Sequence, residues 1–80
     1  MISKLTNSNK IVGAKQVKRA LKAEEIQTVY IAEDAEKEVT NEIAQLCNNK
    51  DIQVVYVENM RKLGDACGID VNAAVAALIK

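Results

Sequence analysis

The apolar residues of this chain recur in short blocks whose spacing alternates between that of strands and that of helices. After a polar lead, Ile11-Val12 predicts a short strand that ends at Gly13. Beyond the glycine, Ala14, Val17 and Leu21 recur at intervals of three or four residues. This spacing predicts one buried stripe of a helix that reaches residue 22.

Two later segments predict strands. Residues 28–32 are rich in β-branched residues and predict a buried strand, and residues 52–57 predict another strand after a polar break. The helix between them is predicted to begin at Glu33 and Asp34, where acids suit the positive end of the helix dipole. Its buried stripe is predicted to consist of four residues: Val39, Ile43, Leu46 and Cys47.

A third helix is predicted from Glu58 to Cys67, with Gly68 just past its end. Gly64 lies inside this helix, where glycine costs about 1 kcal/mol relative to alanine. It therefore predicts that another part of the backbone approaches closely. The last apolar segment, residues 73–79, is rich in alanine like a helix, but its short length and continuous apolarity favour a central strand.

The alternation of strands and helices predicts a single α/β domain over residues 1–80. A chain of this length buries only roughly 60% of the surface that its unfolded form exposes, so it can build one core. Apolar residues make up 49% of the chain and charged residues 28%, as in folded soluble domains. No secretory signal or membrane span is recognisable, so a cytoplasmic location is expected.

Charge is divided unevenly along a chain whose formal net charge is zero. Residues 1–23 carry six bases and no acid, whereas residues 24–80 carry the other five bases and all eleven acids. This polarity points to an anionic partner that meets one face of the molecule. The six bases are Lys4, Lys10, Lys15, Lys18, Arg19 and Lys22.

This chain lacks the residues that most catalytic and metal-binding sites need. There is no His, and Cys47 and Cys67 are not spaced as a pair of metal ligands, which excludes zinc fingers and imidazole-dependent nucleophiles. Both cysteines stand at apolar helical positions and are expected to be buried and reduced. We therefore predict no enzymatic activity, no cofactor and no metal site.

The basic helix that follows Gly13 suits an anionic ligand. A glycine before a helix lets a phosphate or a base edge approach the free N–H groups of the first turn. Lys, Arg and Gln side chains can bond guanine edges as well as phosphates. Because the major groove of A-form RNA is deep and narrow, the target would be a distorted duplex, a bulge or a kink. A solvated basic face with no ligand is the alternative that spacing alone leaves open.

Other polar segments have competing interpretations. Gly13-Ala14-Lys15 is similar to the start of a phosphate-binding loop, but the remaining P-loop residues are missing. The acids near Asp34 could act as paired carboxylates, although their place at a helix start favours capping. If Ile69 and Val71 are exposed, they would offer an apolar surface to an unstacked base. If they are buried, they would only pack at the periphery of the hydrophobic core.

Three segments taken in order, IVGAKQVKRALK, IAEDAEKEV and LGDACGIDVNAAVA, resemble the kink-turn RNA-binding family of ribosomal proteins, namely the archaeal large-subunit protein seven-Ae and its small bacterial relatives. The similarity covers nearly the whole chain. It implies a three-layer α/β/α sandwich around a small mixed four-stranded sheet, with residues 73–79 as a strand. It also implies an RNA partner, a kink-turn, which is a duplex sharply bent at a short bulge beside tandem sheared G·A pairs.

The resemblance further implies which residues contact the RNA. Lys15 and Gln16 occupy positions where the family often has Asn and Glu facing the G·A pairs. Glu36 matches an acid near an extruded nucleotide, and residues 69–71 match a loop that covers looped-out bases. Met60 stands where many members have Lys, which removes one phosphate contact. The implied RNA-binding set is Gly13, Ala14, Lys15, Gln16, Lys18, Arg19, Lys22, Glu36, Ile69, Asp70 and Val71.

The predicted function is that of a monomeric, non-enzymatic RNA-binding protein that recognises kink-turns and associates with ribosomal RNA or a riboswitch. One alternative is a ribosomal scaffold protein whose basic face touches RNA without specificity. The other is a small nucleotide-binding protein with a pocket between Lys15 and Asp34.

Overall fold

The computed structural model describes residues 9–79, which form strands and helices in alternating order. The strands are β1 (Lys10–Val12), β2 (Ile26–Ala32), β3 (Gln53–Val57) and β4 (Val75–Ile79). The helices are α1 (Ala14–Lys22), α2 (Lys37–Asn49) and α3 (Met60–Ala66). The predicted order of elements is confirmed, and the alanine-rich last segment is a strand as favoured.

The four strands form one mixed sheet with the order β1-β4-β2-β3. β2 and β3 are parallel, with Ile31 opposite Tyr56, whereas β4 is antiparallel to both of its neighbours. The continuous apolarity of β4 is explained by its place between β1 and β2, where Val75 to Leu78 are buried on both faces.

Helices cover both faces of the sheet, so the predicted three-layer sandwich is confirmed. The core under α1 and α2 includes Val17, Leu21, Val29, Ile31, Ile43 and Cys47. The core under α3 includes Tyr30, Ala32, Leu63, Cys67, Ala76 and Leu78. Successive residues of β2 and β4 enter opposite cores because side chains alternate across a strand. Each fully buried aliphatic side chain contributes roughly 1.5–3 kcal/mol.

The helix predicted to begin at Glu33 and Asp34 begins at Lys37, so that boundary is wrong. Glu33 still continues the sheet, because its amide donates to the Val57 carbonyl at 2.8 Å. The Asp34 carboxylate accepts a hydrogen bond from the Met60 amide at 2.8 Å. Asp34 therefore caps α3 and not the helix that follows it in sequence.

The third helix is shorter than the predicted span from Glu58 to Cys67. Asn59 is its N-cap residue, and its side-chain oxygen accepts from the Lys62 amide at 2.8 Å. Glu58 lies before the helix, where it forms an ion pair with Lys62 that holds the pKa of the Glu58 carboxyl below its usual range. Gly68 follows the helix with a φ of 76°, which fits its predicted place beyond the C-terminus.

Candidate nucleic-acid interface

The loops that follow β1, β2 and β3 lie at the same end of the sheet as the α3–β4 loop, residues 67–74, because β4 runs antiparallel to β1 and β2. Backbone hydrogen bonds join these segments directly. The Gly13 amide donates to the Val75 carbonyl at 2.9 Å, and the Ala73 amide donates to the Met60 carbonyl at 3.0 Å. The start of α1 and the end of the α3–β4 loop are therefore in contact.

Gly13 occupies the N-cap position of α1 with a φ of 113°, a conformation that residues with a side chain rarely adopt. A Cβ atom there would meet no atom within 4 Å, so it is the backbone angle that requires glycine, not lack of space. No acid stands in the first turn of α1. The free N–H groups of this turn therefore give the end of the sheet a positive pole.

One side of α1 is cationic and the other is buried, as the sequence predicts. Lys15, Arg19 and Lys22 are exposed, whereas Val17 and Leu21 are buried in the core. Because a helix turns once in 3.6 residues, the three cations share one side and extend from the first turn to the last.

Lys18 differs from the other bases of α1 because it is held by α2. Its Nζ donates to Oε1 of Glu42 at 3.0 Å, and its side chain is only 31% exposed. Spacing in the sequence places Lys18 among the cations but cannot show that a second helix supplies its partner. Gln16 is exposed on the flank of α1 that faces β1, where it and Arg19 border a cavity of about 420 Å³.

The two aliphatic residues of the α3–β4 loop have different environments. Val71 is 67% exposed. Ile69 is half-buried and packs against the core under α3. Asp70 is exposed beside Val71, and both border a shallow cavity of about 390 Å³ that Arg61 also lines. Val71 thus presents apolar surface to solvent, whereas Ile69 packs towards the core.

The position of this loop is fixed by Gly64 of α3. The Ile69 amide donates to the Gly64 carbonyl at 3.1 Å. A Cβ atom on Gly64 would lie 2.1 Å from the carbonyl oxygen of Val71, which is far inside van der Waals contact. The close backbone approach predicted at Gly64 is confirmed, and the backbone that approaches is the α3–β4 loop.

Sequence reasoning missed the hydrogen bond between Asp34 and Met60 that ties the β2–α2 turn to α3. Since the Met60 carbonyl also accepts from Ala73, the same residue connects that turn to the α3–β4 loop. No local pattern points to Asp34 as a cap for a helix so distant in sequence. Asn59 was recognisable, because asparagine just before a helix is a typical N-cap residue.

Glu36 is exposed at the N-cap position of α2, in the segment that follows β2 at this end of the sheet. Its side chain makes no capping hydrogen bond. Asp34, by contrast, is engaged with the Met60 amide, and no ion pair joins Asp34 to Lys15 in the part of the chain that the structure describes.

Within residues 9–79, no helix has the length and apolarity that a membrane span requires. No group of three or more Cys, Asp or Glu side chains within these residues is arranged to hold a metal ion. Cys47 and Cys67 are both buried and unbridged, as predicted.

Comparison with known proteins identifies close relatives of this chain. The sequence model of the ribosomal protein L7Ae/L30e/S12e/Gadd45 family matches residues 1–80. An RNA-binding protein of Halalkalibacterium halodurans is 49% identical over 70 residues, which cover 88% of this chain and 85% of the relative. The RNA-binding protein YbxF of Geobacillus stearothermophilus is 40% identical over 70 residues, with the same coverage of 88% and 85%.

Solved structures show the same fold at lower sequence identity. The 15.5 kD RNA-binding protein of Giardia lamblia superimposes with a TM-score of 0.92 at 23% identity, over 99% of this chain and 70% of that protein. A protein of unknown function from Bacillus halodurans superimposes with a TM-score of 0.89, also at 23% identity, over 99% of this chain and 83% of the other.

Proposed function

Because this chain belongs to the ribosomal protein L7Ae/L30e/S12e/Gadd45 family, we propose that it binds RNA and recognises a kink-turn. The observation that carries the proposal is the hydrogen bond from the Gly13 amide to the Val75 carbonyl, which joins the start of α1 to the first residue of β4, where the α3–β4 loop ends. This contact sets the first turn of the cationic helix beside the loop that carries the exposed side chain of Val71. The two relatives described above, which are RNA-binding proteins, support the same class of partner.

The first turn of α1 is the part that approaches the RNA most closely. Gly13 has no side chain and Ala14 has a small one, so a sugar-phosphate backbone can reach the free N–H groups. Lys15, Arg19 and Lys22 continue this positive surface along the major groove of the RNA. Phosphate contacts of this kind release counterions, so the affinity falls steeply as salt is added.

Specificity comes from side chains that reach base edges. Lys15 and Gln16 stand at the first turn and can donate to the O6 and N7 atoms of guanine. Arg19 lies one turn further and can form two parallel bonds to a guanine edge or a phosphate. Lys18 contributes less, because its ammonium group is already paired with Glu42.

The α3–β4 loop covers bases that are looped out of the duplex. Val71 provides an apolar surface for an unstacked base, and Ile69 of the same loop packs against the core under α3. Asp70 and Glu36 are exposed carboxylates at the same end of the sheet, where they can accept hydrogen bonds from base amino groups.

The mechanism is capture of one RNA shape. A kink-turn RNA fluctuates between extended and bent forms, and only the bent form opens the major groove enough for α1 and places looped-out bases against Val71. Binding therefore shifts the population towards the bent form by the difference in affinity between the two. The protein acts without catalysis, as a cytoplasmic monomer with one domain over residues 1–80, on kink-turns in ribosomal RNA or in a riboswitch.

A competition gel shift tests the specificity. Three RNAs are compared at one salt concentration: a kink-turn, the same RNA with its G·A pairs replaced by Watson–Crick pairs, and a straight duplex. We expect at least tenfold tighter binding to the kink-turn, because the other two cannot hold the bent form. Equal affinity for all three would leave only the scaffold alternative, with nonspecific RNA contact.

A further inference from the structure

A second surface runs along the edge of the sheet formed by β3. Within the described residues, β3 pairs only with β2, so one row of its backbone N–H and C=O groups faces outward. Tyr56 of this strand is 57% exposed, whereas Tyr30, the other aromatic residue of the chain, is buried. An accessible edge strand with a large side chain beside it has the features of a site for strand addition.

Tyr56 lies on the same face of the sheet as α2. Its register partner Ile31 packs into the core under α1 and α2, and neighbours in a parallel pair point to the same side. Tyr56 borders a cavity of about 310 Å³ together with Glu33, Lys37 and Asn41. This cavity offers space beside the edge strand for one long side chain of a partner.

The charge around Tyr56 decides the class of partner. Residues 33–38, the segment that adjoins this cavity, carry four acids and one base. Of these, Glu33 and Lys37 border the cavity, and Lys37 donates its Nζ to the Glu33 carbonyl at 3.1 Å. Single-stranded nucleic acid needs a positive groove, so this edge disfavours RNA. A cationic side chain suits it well, because arginine stacks on tyrosine and pairs with carboxylates.

We propose that the outer edge of β3 binds an extended, arginine-bearing segment of a partner protein, which joins the sheet as an additional strand. An arginine of this segment lies on the ring of Tyr56, with its guanidinium bonded to the Glu33 carboxylate. β3 and β1 are opposite edges of the sheet, and α1 directly follows β1. RNA on α1 and the partner strand on β3 therefore approach the sheet from opposite edges. The two ligands adjoin at residues 33–36, because Glu36 faces the RNA in the proposed function and Glu33 binds the partner.

The test uses a defined peptide of nine residues that alternates valine and arginine. Its binding to the ¹⁵N-labelled protein is followed by amide chemical shifts and hydrogen exchange. We expect slower exchange of the outward-facing amides of β3 when the peptide is bound. Two control peptides, one with glutamate for arginine and one with prolines at the pairing positions, are expected to bind at least tenfold more weakly.

Variants locate the contact on the protein. Tyr56→Ala is expected to weaken peptide binding about tenfold and Glu33→Gln several-fold, whereas Tyr56→Phe keeps the ring and the affinity. Asp65→Asn removes an exposed acid on α3 and is the matched control, with no expected effect. Tyr56→Phe and Asp65→Asn also separate lost contacts from lost folding, and melting temperatures check each variant.

Several results would overturn the proposal. With the peptide, these are unchanged hydrogen exchange of the β3 amides and equal binding of the proline peptide. With the variant, it is an unchanged peptide affinity in Tyr56→Ala. The others are preferential binding of a single-stranded RNA oligonucleotide at this edge and dimerisation of the protein through β3. Kink-turn binding by Tyr56→Ala is expected to match that of the unmodified protein. If the peptide fails while kink-turn binding persists, this inference falls and the proposed function stands.

Discussion

The carbonyl oxygen of Val71 lies 2.1 Å from the place where a Cβ atom on Gly64 would stand. Gly64 belongs to α3, and Val71 is the exposed aliphatic residue of the loop that follows this helix. The loop therefore rests on the backbone of α3, and its height above the helix is set by the absence of a side chain. Gly64 weakens the helix locally, but it leaves the space that the loop backbone occupies.

Gly64→Ala should destabilise the protein although alanine is the better helix former. The added methyl group must push the Val71 backbone away, at a cost of roughly 1–3 kcal/mol beyond the gain in helix propensity of about 1 kcal/mol. Urea unfolding measures the change. Asp65→Ala, at an exposed position of the same helix, should stay within about 0.5 kcal/mol. A Gly64→Ala protein as stable as this control would show that the contact does not constrain the loop.

Asp34→Ala should remove the cap of α3 that comes from the β2–α2 turn. The Met60 amide then loses its carboxylate acceptor, which costs about 1 kcal/mol of unfolding free energy. Asp34→Asn keeps an oxygen acceptor and should lose less. Hydrogen exchange at the Met60 amide gives a local readout, since it should quicken in Asp34→Ala and not in Glu36→Ala, whose side chain caps nothing. Unchanged exchange in Asp34→Ala would argue against the cap.

Glu42→Gln should release Lys18 for RNA. Glu42 and Lys18 form a partly exposed ion pair, which contributes little to stability. Calorimetry with a kink-turn RNA should give roughly twofold tighter binding for Glu42→Gln, and unfolding should change by less than about 0.5 kcal/mol. Lys18→Ala should cost less affinity than Arg19→Ala. Equal losses would mean that the Lys18 ammonium leaves Glu42 at no cost when RNA binds.

The buried thiols should make the free energy of unfolding fall at alkaline pH. Burial raises the pKa of Cys47 and of Cys67, partly offset at Cys67 by the positive charge of Lys10. A raised pKa means that the folded protein disfavours the thiolate. The stability that comes from burying the two thiols is therefore fully present below the ordinary thiol pKa of about 8.5, and it is lost as pH rises through the folded-state pKa. Urea unfolding at pH 8 and at pH 10 should therefore show lower stability at the higher pH.

Replacement of both cysteines by alanine provides the comparison for this prediction. The double variant should be less stable at pH 8, because it leaves space in both cores, but its stability should fall less between pH 8 and pH 10. Iodoacetamide should react with the two thiols much faster in urea than in the folded protein. An identical fall with pH in both proteins would assign the effect to other groups.

Features that depend on local pattern were predictable from the sequence, and those that depend on distant neighbours were not. The spacing of Val17 and Leu21 was enough to predict α1. Gly64 predicted that another part of the backbone approaches α3 closely, but not that this part is the α3–β4 loop. The cap formed by Asp34 and the ion pair of Lys18 join segments far apart in sequence, so no local signal marks them. Whether Val71 is exposed likewise depends on how the loop crosses α3, which only the folded chain determines.

The contribution of α1 is tested by comparing a cation on the exposed side of α1 with an exposed cation at the end of α2. Arg19→Ala should weaken binding to a kink-turn RNA by about 1–3 kcal/mol, because Arg19 lies on the cationic side of α1. Lys50→Ala removes an exposed cation at the C-cap of α2 and should have a much smaller effect. Equal losses in calorimetry would indicate a diffuse electrostatic attraction with no specific contact.

The central claim, that the protein captures a bent RNA, is tested most directly by energy transfer between fluorophores on the two ends of a kink-turn RNA in buffer without divalent cations. Titration with the protein should raise the transfer efficiency to that of the bent form, with saturation at one protein per RNA, and leave the G·A-disrupted RNA extended. Binding to both RNAs with no change in transfer efficiency would contradict the claim.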